Sequence, residues 1–505
     1  MPLFKKILVA NRGEIAVRIL RACRELDIRT VAVYSEPDAD ALHVQLADEA
    51  VLLGPAPSAE SYLRIDRLLD AARATGAEAI HPGYGFLAER AAFADAVEEA
   101  GFVFLGPPGA TIRAMGDKTE ARRRMQAAGV PIVPGLVDPL VDAAAAVEAA
   151  EAMGYPVLLK AAAGGGGKGM RVVEDSEALP RAFEAAGREA LAAFGDGSVY
   201  LERYLARPRH IEIQVLGDTH GNVVHLHERE CSVQRRHQKL IEEAPSAVLT
   251  ADERAAMGAA AVRAAETVAY RGAGTVEFLY QEGEFFFLEM NTRIQVEHPV
   301  TEFITGIDLV QWQIRVAAGE RLTFTQDDIA LRGHSIECRV TAEDPFHGFL
   351  PATGTVEQFE IPSGPGVRWD GGICEGSEVG LNYDPLLGKL VVHAESRTAA
   401  LDRMERALDE LVIRGVETCL PFHRRLVRHP DFRSGDLTIR FLEEHAEVLE
   451  PGPAGGADLR VAAIAAALLE HDHRAARSAP RMCGASVSGS LPAWRASGWP
   501  WNQPL

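Results

Sequence analysis

The chain has 505 residues, of which 47% are hydrophobic and 25% charged, and its formal charge at pH 7 is −20. This is the composition of an ordinary globular protein, and the length predicts about three domains. The acidic balance excludes a general nucleic-acid binder and a protein that clings to anionic membranes, yet leaves room for a local basic site.

The cysteines at 23, 231, 338, 374, 419 and 483 form no Cys-x-x-Cys pair. Reduced thiols and a cytoplasmic setting are therefore expected. The opening Met1-Pro-Leu-Phe-Lys-Lys6 lacks a signal-peptide hydrophobic region. No apolar run approaches the roughly 20 residues needed to span a bilayer. The expectation is a soluble protein.

Residues 7–115 alternate strand-like and helix-like segments: strands at 7–10, 30–34, 79–80 and 102–105, with helices at 14–26 and 59–75. That alternation implies a parallel sheet with helices on both faces. The first turn, Ala10-Asn-Arg-Gly-Glu14, lacks Gly-x-Gly-x-x-Gly, so a dinucleotide site is not expected there. His81-Pro-Gly-Tyr-Gly-Phe86 is a glycine-rich loop after a strand, where ligands sit in open α/β sheets. On its own, Tyr84 reads as a packing residue.

Gly116-Asp-Lys118 opens a helical segment, and 142–153 is a second. Tyr155-Pro-Val-Leu-Leu-Lys160 is a strand ending in a lysine, followed by Ala161-Ala-Ala-Gly-Gly-Gly-Gly-Lys-Gly-Met-Arg171. Glycines let backbone N–H groups approach an anion and lysines supply counter-charge, so this loop suits phosphates, although it is not a Walker A sequence. Strands follow at 199–205 and 209–216. Within 231–245, Arg235, Arg236, His237 and Lys239 crowd together, and an extended chain would put Arg235, His237 and Lys239 on one face.

A helix at 252–269 leads to two strands, Thr275-Val-Glu-Phe-Leu-Tyr280 and Phe285-Phe-Phe-Leu288, joined by a hairpin signal. If the chain stays extended beyond them, Glu289, Asn291, Arg293, Gln295 and Glu297 project to one side, with Met290, Ile294 and Val296 on the other. A three-residue loop at 282–284 would set Glu277 opposite Glu289, whereas a two-residue loop would set it opposite Leu288. In the first register two carboxylates repel unless a cation joins them, and Mg²⁺ suits that role; a solvated acidic surface is the alternative. A helix at 306–318 follows. From 331 the segments shorten and become β-rich, with Ser335, Glu337 and Arg339 on one side of a strand, which predicts a third, α+β domain. After Pro451-Gly-Pro-Ala-Gly-Gly456 a helix at 458–472 is expected, then a tail holding Trp494, Trp499 and Trp501, read as a docking element for another polypeptide of a complex.

Taken together, seven motifs in order resemble biotin carboxylase of the ATP-grasp superfamily over roughly residues 3–447. They are Ala10–Glu14, His81–Gly85, Met115–Lys118, the 160–171 loop, Pro208–His210, Gln234–Lys239 and Glu289–Glu302. The resemblance implies a Rossmann-like (pre-ATP-grasp) N-terminal α/β domain at 1–115 and an ATP-grasp domain at 116–328, with a mobile lid at about 133–204. A C-terminal α+β domain at 329–447 would follow, then a linker, helix and tail at 448–505.

By resemblance, ATP-binding residues are Lys118, Lys160, Gly166, Gly167, Glu202, Arg203, Tyr204, Leu205, His210, Gln234, His237, Glu277 and Glu289. Glu277, Glu289 and Asn291 would ligate Mg²⁺ (or Mn²⁺). Lys239, Arg293, Gln295 and Val296 would hold bicarbonate. Glu297 would be the general base, Arg339 the group that steadies the biotin enolate, and Tyr84 a neighbour of the biotin pocket. Catalytic roles thus fall to Lys239, Arg293, Glu297 and Arg339. Gly167-Lys168 departs from a frequent Gly-Arg, and Arg203 stands where lysine is frequent; both keep the charge.

No Met-Lys pair occurs in these residues, so the biotin-attachment motif is absent. The implied partners are a separate biotin carboxyl carrier protein and a carboxyltransferase subunit. The implied assembly is a homodimer. A loose likeness of residues 458–505 to the α-subunits of acyl-CoA carboxylases points to an acetyl-CoA carboxylase-type complex and fatty acid biosynthesis. The competing readings are another ATP-grasp carboxylate–amine ligase and a non-catalytic nucleotide-binding scaffold.

Overall fold

The computed structural model describes residues 3–136, 140, 142–161, 170–451 and 456–478. Gly166, Gly167 and Lys168 of the glycine loop lie outside the described residues, as do Trp494, Trp499 and Trp501.

The chain first builds a parallel sheet from β1 (Lys6–Val9), β2 (Arg29–Ser35), β3 (Glu49–Gly54), β4 (Ala79–His81) and β5 (Val103–Phe104), in the order β3-β2-β1-β4-β5. Ile7, Leu8 and Val9 are fully buried because helices cover both faces, which is why β1 reads as an unbroken apolar run. Helix α1 (Gly13–Glu25) presents Ile15, Ile19, Leu20 and Cys23 to that sheet. Strand β3, at the sheet edge, was not anticipated: its Glu49, Leu52 and Gly54 mix exposed and half-buried positions, so it lacks an apolar signature. The expected helix at 59–75 is a short 3₁₀ turn, Ser58–Glu60, followed by a helix at Ile65–Thr75.

A small antiparallel sheet follows, from β6 (Val157–Ala161), β7 (Arg171–Val173) and β8 (Val199–Arg203), with β6 in the middle. The body of the molecule is an eight-stranded antiparallel sheet. Its strands are β9 (Arg209–Gly217), β10 (Val223–Glu230), β13 (Ile241–Ala244), β14 (Gly272–Gln281), β15 (Glu284–Asn291), β16 (His334–Thr341), Val367–Gly371 and Leu386–Ala394. The order is β15-β14-β9-β10-β13-β16, then Leu386–Ala394, then Val367–Gly371. Strands β11 (Gln234–Arg235) and β12 (Gln238–Lys239) form a separate two-stranded ribbon.

The fold is thus three-domain, α/β then α+β, and the strands that start the third domain continue the central sheet. Glu242 of β13 lies opposite Glu337 of β16, and Arg339 opposite Lys389 of the next strand. The helix expected at 306–318 is Leu309–Ala317, and a further helix that was not anticipated, His298–Thr305, precedes it. Pro299 occupies the first turn of the latter, where its fixed φ and missing N–H cost nothing. Asp117 caps the helix Lys118–Ala127 by accepting from the N–H groups of Thr119 and Glu120, a bond type that contributes about 1 kcal/mol.

Residues 3–450 form one compact unit; 451 onward form a second, in which the helix Gly456–Ser478 is described. No helix among the described residues is long and apolar enough to cross a membrane.

Candidate active site

The hairpin of β14 and β15 turns through two residues, Glu282 and Gly283, both at positive φ (53° and 87°), with Gln281 paired to Glu284. That loop length alone would set Glu277 against Leu288. A bulge corrects it: Phe278 pairs with Phe287 but Glu277 pairs with Glu289, so Leu288 is the extra residue. The two carboxylates therefore do face each other, by a different route from the three-residue loop. Glu277 in turn lies opposite Glu212 of β9, and Glu212 opposite Arg229 of β10. One row across four strands reads Glu289, Glu277, Glu212, Arg229.

The chain does not stay extended to Glu297. Strand β15 ends at Asn291, and Glu297 is the residue capping helix His298–Thr305. Ile294, fully buried with Leu216, Leu226 and Leu309, pulls the intervening loop against the core. Glu289 and Asn291 thus reach the site by strand alternation, and Gln295 and Glu297 by the loop folding back over it. Gln295 Nε2 and Asn291 Nδ2 each donate to Glu277 Oε1 at 2.8 Å.

The basic run 235–239 is likewise not extended. It reverses between β11 and β12, with Arg236 and His237 at φ 48° and 66°. Gln234 and Lys239 become cross-strand partners. Arg235 turns away to donate to the Gly348 carbonyl and lie over the Phe349 ring, and His237 is exposed at the turn.

Lys239 is the centre of the constellation. Its ammonium lies 2.7 Å from Glu297 Oε1 and 3.0 Å from Glu277 Oε1, and it also pairs with Glu212. Burial opposes its charge, but Glu212, Glu277 and Glu297 outweigh burial and push its pKa well up. Arg339 reaches Glu297 Oε2 through Nη2 at 2.8 Å and Glu242 Oε1 through Nε at 2.6 Å. Burial would raise the Glu297 pKa, but Lys239 and then Arg339 hold it below the ordinary carboxylate range despite nearby Glu212. Burial, opposed by Arg339, raises Glu242 to about 7. His210 Nε2 lies 3.1 Å from Glu277 Oε2, and that carboxylate carries the imidazole to about 9 in spite of burial.

Glu289 differs from its neighbours. About two-fifths of its side chain is exposed, and Lys118 Nζ is 3.8 Å away. Partial desolvation and then Glu277 raise its pKa. A carboxylate left in that state beside another suits a divalent cation placed between Glu277 and Glu289, which would remove their repulsion.

The remaining predicted residues divide. Arg293 donates to Asn291 Oδ1 at 3.0 Å and its Nε lies 3.0 Å from Glu89, within the site but tied to an acid the sequence did not single out. Lys160 and Arg122 both pair with the buried Glu202. Arg203 pairs with Glu284 at 2.9 Å, Leu205 packs with Val133 and Phe286, and the Tyr204 N–H bonds the Pro156 carbonyl. Tyr84 donates its hydroxyl to Glu14. Gln234 is occupied by the Cys231 carbonyl at 2.8 Å.

Sequence reasoning missed the floor of the site. Arg229, fully buried, donates to Gln214 at 2.6 Å, Gln295 at 2.6 Å and Thr275 and Thr301 at 3.0 Å, and pairs with Glu212. The signal was present in Arg209-His-Ile-Glu-Ile-Gln-Val215, where polar residues alternate inside a strand that is buried on both faces.

Residues 3–112 match the family model for the biotin carboxylase N-terminal domain, 117–325 that for the ATP-binding domain of the carbamoyl-phosphate synthase L chain, and 337–444 that for the biotin carboxylase C-terminal domain. The chain belongs to the biotin carboxylase family. Among biotin carboxylase relatives, the enzyme of Haemophilus influenzae is 52% identical over 443 residues, covering 88% of this chain and 99% of that protein. A pyruvate carboxylase subunit of Methanothermobacter thermautotrophicus is 55% identical over 444 residues, covering 88% and 90%. The biotin carboxylase domain dimer of Hydrogenobacter thermophilus 2-oxoglutarate carboxylase, solved with MgADP, ADP and bicarbonate, matches with a TM-score of 0.83 at 51% identity, covering 90% of this chain and all of that one.

Proposed function

We propose that the chain carboxylates biotin at the expense of ATP and bicarbonate, with Mg²⁺ between Glu277 and Glu289. The observation that carries this reading is Glu297: a buried carboxylate kept ionised by contact with both Lys239 and Arg339. A general base must be ionised and within reach of its proton; the depressed pKa meets the first need, and the two cations beside Glu297 would draw an anionic substrate into its reach.

Bicarbonate is a poor electrophile, so its oxygen must first attack the γ-phosphate of ATP. Glu297 takes the bicarbonate proton, ADP leaves and carboxyphosphate forms. Lys118, Lys160 and His210 would neutralise phosphate charge, and Glu277, Glu289 and Asn291 would hold a Mg²⁺ that supplies further counter-charge. Carboxyphosphate then breaks into CO₂ and phosphate. The phosphate accepts the ureido N–H proton, Arg339 holds the enolate oxygen, and the ureido nitrogen bonds to CO₂.

For Arg339 to meet biotin it must loosen its grip on Glu297, which protonation of Glu297 in the preceding step would favour. In the same reading Lys239, Arg293, Gln295 and Val296 receive bicarbonate, the 202–205 segment and His237 flank the nucleotide, and Tyr84 borders the biotin pocket.

In this reading biotin would arrive on a separate carrier protein, and a carboxyltransferase would choose the final acceptor. The tail favours an acyl-CoA acceptor, and the scattered cysteines favour the cytoplasm. The relatives named for pyruvate carboxylase and, at 52% identity, for 2-oxoglutarate carboxylase favour a 2-oxo acid instead. The dimer of the solved relative supports a homodimer.

The test is phosphate release from MgATP. Stimulation that requires both bicarbonate and free biotin, or a biotinylated carrier domain, is expected. Release driven by an amine in place of biotin would make the chain an ATP-grasp ligase of another kind, and none under any of these conditions would leave a scaffold. Adding a carboxyltransferase with acetyl-CoA, pyruvate or 2-oxoglutarate then identifies the acceptor.

A further inference from the structure

Apart from Tyr84 beside the biotin pocket, the Ala10–Glu14 and His81–Gly85 motifs have no role in the chemistry above. Asn11 Nδ2 donates to the carbonyls of Pro82 and Tyr84, each at 2.7 Å, so the two motifs form one unit. Gly83 is needed for that closeness: its φ is +63°, and a Cβ there would lie 2.9 Å from Asn11 Nδ2. Tyr84 in turn donates its hydroxyl to Glu14 in the first turn of α1. The start of α1 is seated on Gly372, where a Cβ would come within 2.7 Å of the Glu14 nitrogen.

Glu14 faces Lys389, a lysine with no exposed surface in the middle of the Leu386–Ala394 strand. Lys389 Nζ lies 3.2 Å from Glu14 Oε1 and donates to the Val296 carbonyl at 2.7 Å. Val296 directly precedes Glu297 in a loop with no helical or strand hydrogen bonds of its own. Its neighbours are each held by other means: Ile294 by burial, and Gln295 by Glu277 and Arg229. Among the described residues, Lys389 is the side chain that holds the Val296 carbonyl.

A methionine would fill the same volume without the desolvation penalty of a buried ammonium. What lysine adds at this position is a donor and a charge. We infer that Lys389 is a positioning residue that fixes the turn carrying Glu297, and that Glu14, braced by Tyr84 and Asn11, holds Lys389 in place. Three domains thereby converge on one ammonium: the N-terminal layer through Glu14, the ATP-grasp loop through Val296, and the C-terminal strand through Lys389. The inference rests on the carboxylase reading, in which the 293–297 turn receives bicarbonate.

The test compares Lys389→Met, Glu14→Gln and the double variant with the wild type, by thermal melting and by bicarbonate- and biotin-dependent phosphate release. Removing both charges together spares the fold, so the double variant should melt close to the wild type. It should nevertheless lose about 10- to 100-fold in kcat, because a displaced base costs rate without costing structure. Its KM for ATP should stay within about twofold while that for bicarbonate rises. Glu14→Gln, which leaves the Lys389–Val296 bond intact, should lose less than the double variant.

A folded double variant with wild-type kcat and bicarbonate KM would overturn the inference. So would a double variant that does not fold, since the pair would then be a folding element. A wild-type enzyme without biotin-stimulated release would instead sink the carboxylase reading, so the two failures are distinguishable.

Discussion

Glu297→Gln should bind MgATP as tightly as the wild type and lose about 10²- to 10⁴-fold in biotin carboxylation, the range that positioned acid–base groups contribute. The substitution keeps the shape of the side chain and removes its ability to accept a proton. Nucleotide binding should survive because Glu277, Glu289, Lys118 and His210 are held by contacts that do not pass through Glu297. The check is titration with a non-hydrolysable ATP analogue alongside turnover; wild-type turnover in this variant would remove Glu297 from the role of base.

The pH dependence follows from the same contacts. A carboxyl whose folded pKa is depressed contributes stability above the unfolded carboxylate value, about 4.3, and loses it as the pH falls through the folded value. Glu297 is depressed by Lys239 and Arg339, so its acid limb in the free enzyme should lie below that ordinary value.

The resemblance reached the chemistry because that chemistry is concentrated in short motifs whose residue types are constrained by phosphate, metal and proton transfer. What the sequence did not reveal is how those motifs meet. The facing of Glu277 and Glu289 depends on a bulge at Leu288, and nothing in Phe285-Phe-Phe-Leu288 marks which residue will be displaced. The periodicity of Glu289 to Glu297 suited a strand, but burial of Ile294 and the helix beginning at His298 won over local alternation. Arg235 and His237 were expected beside Lys239, yet left-handed backbone at Arg236 and His237 reverses the chain between them.

The supporting charges were hidden for a different reason. Arg229, Glu212, Glu242 and Lys389 stand in segments that look like ordinary alternating strands, and a buried ion pair between strands distant in sequence leaves no local trace. Glu14 was visible inside a motif, but its partner lies on the far side of the chain at Lys389.

The second large effect is expected at Lys239, where stability and activity should fall together. Lys239→Met replaces an ammonium shared by Glu212, Glu277 and Glu297 with an apolar chain of similar length. Breaking a buried pair by removing one partner typically costs about 3–5 kcal/mol, because the orphaned charge stays buried. Arg229 still compensates Glu212, and Arg339 still compensates Glu297, which argues for the lower end of that range.

The sign of the pH effect distinguishes this from lost packing. In the wild type Lys239 helps hold Glu277 and Glu297 below their ordinary values. In the variant those carboxyls rise and accept protons more readily, so the penalty should be largest near neutral pH and shrink as the pH approaches 5. Denaturation of both proteins at pH 7.5 and pH 5 tests this, and an equal loss at the two pH values would mean that Lys239 contributes bulk and not charge. Lys239→Arg should not restore turnover. Three carboxylates converge on a single nitrogen here, which a compact ammonium satisfies and a planar guanidinium fork does not.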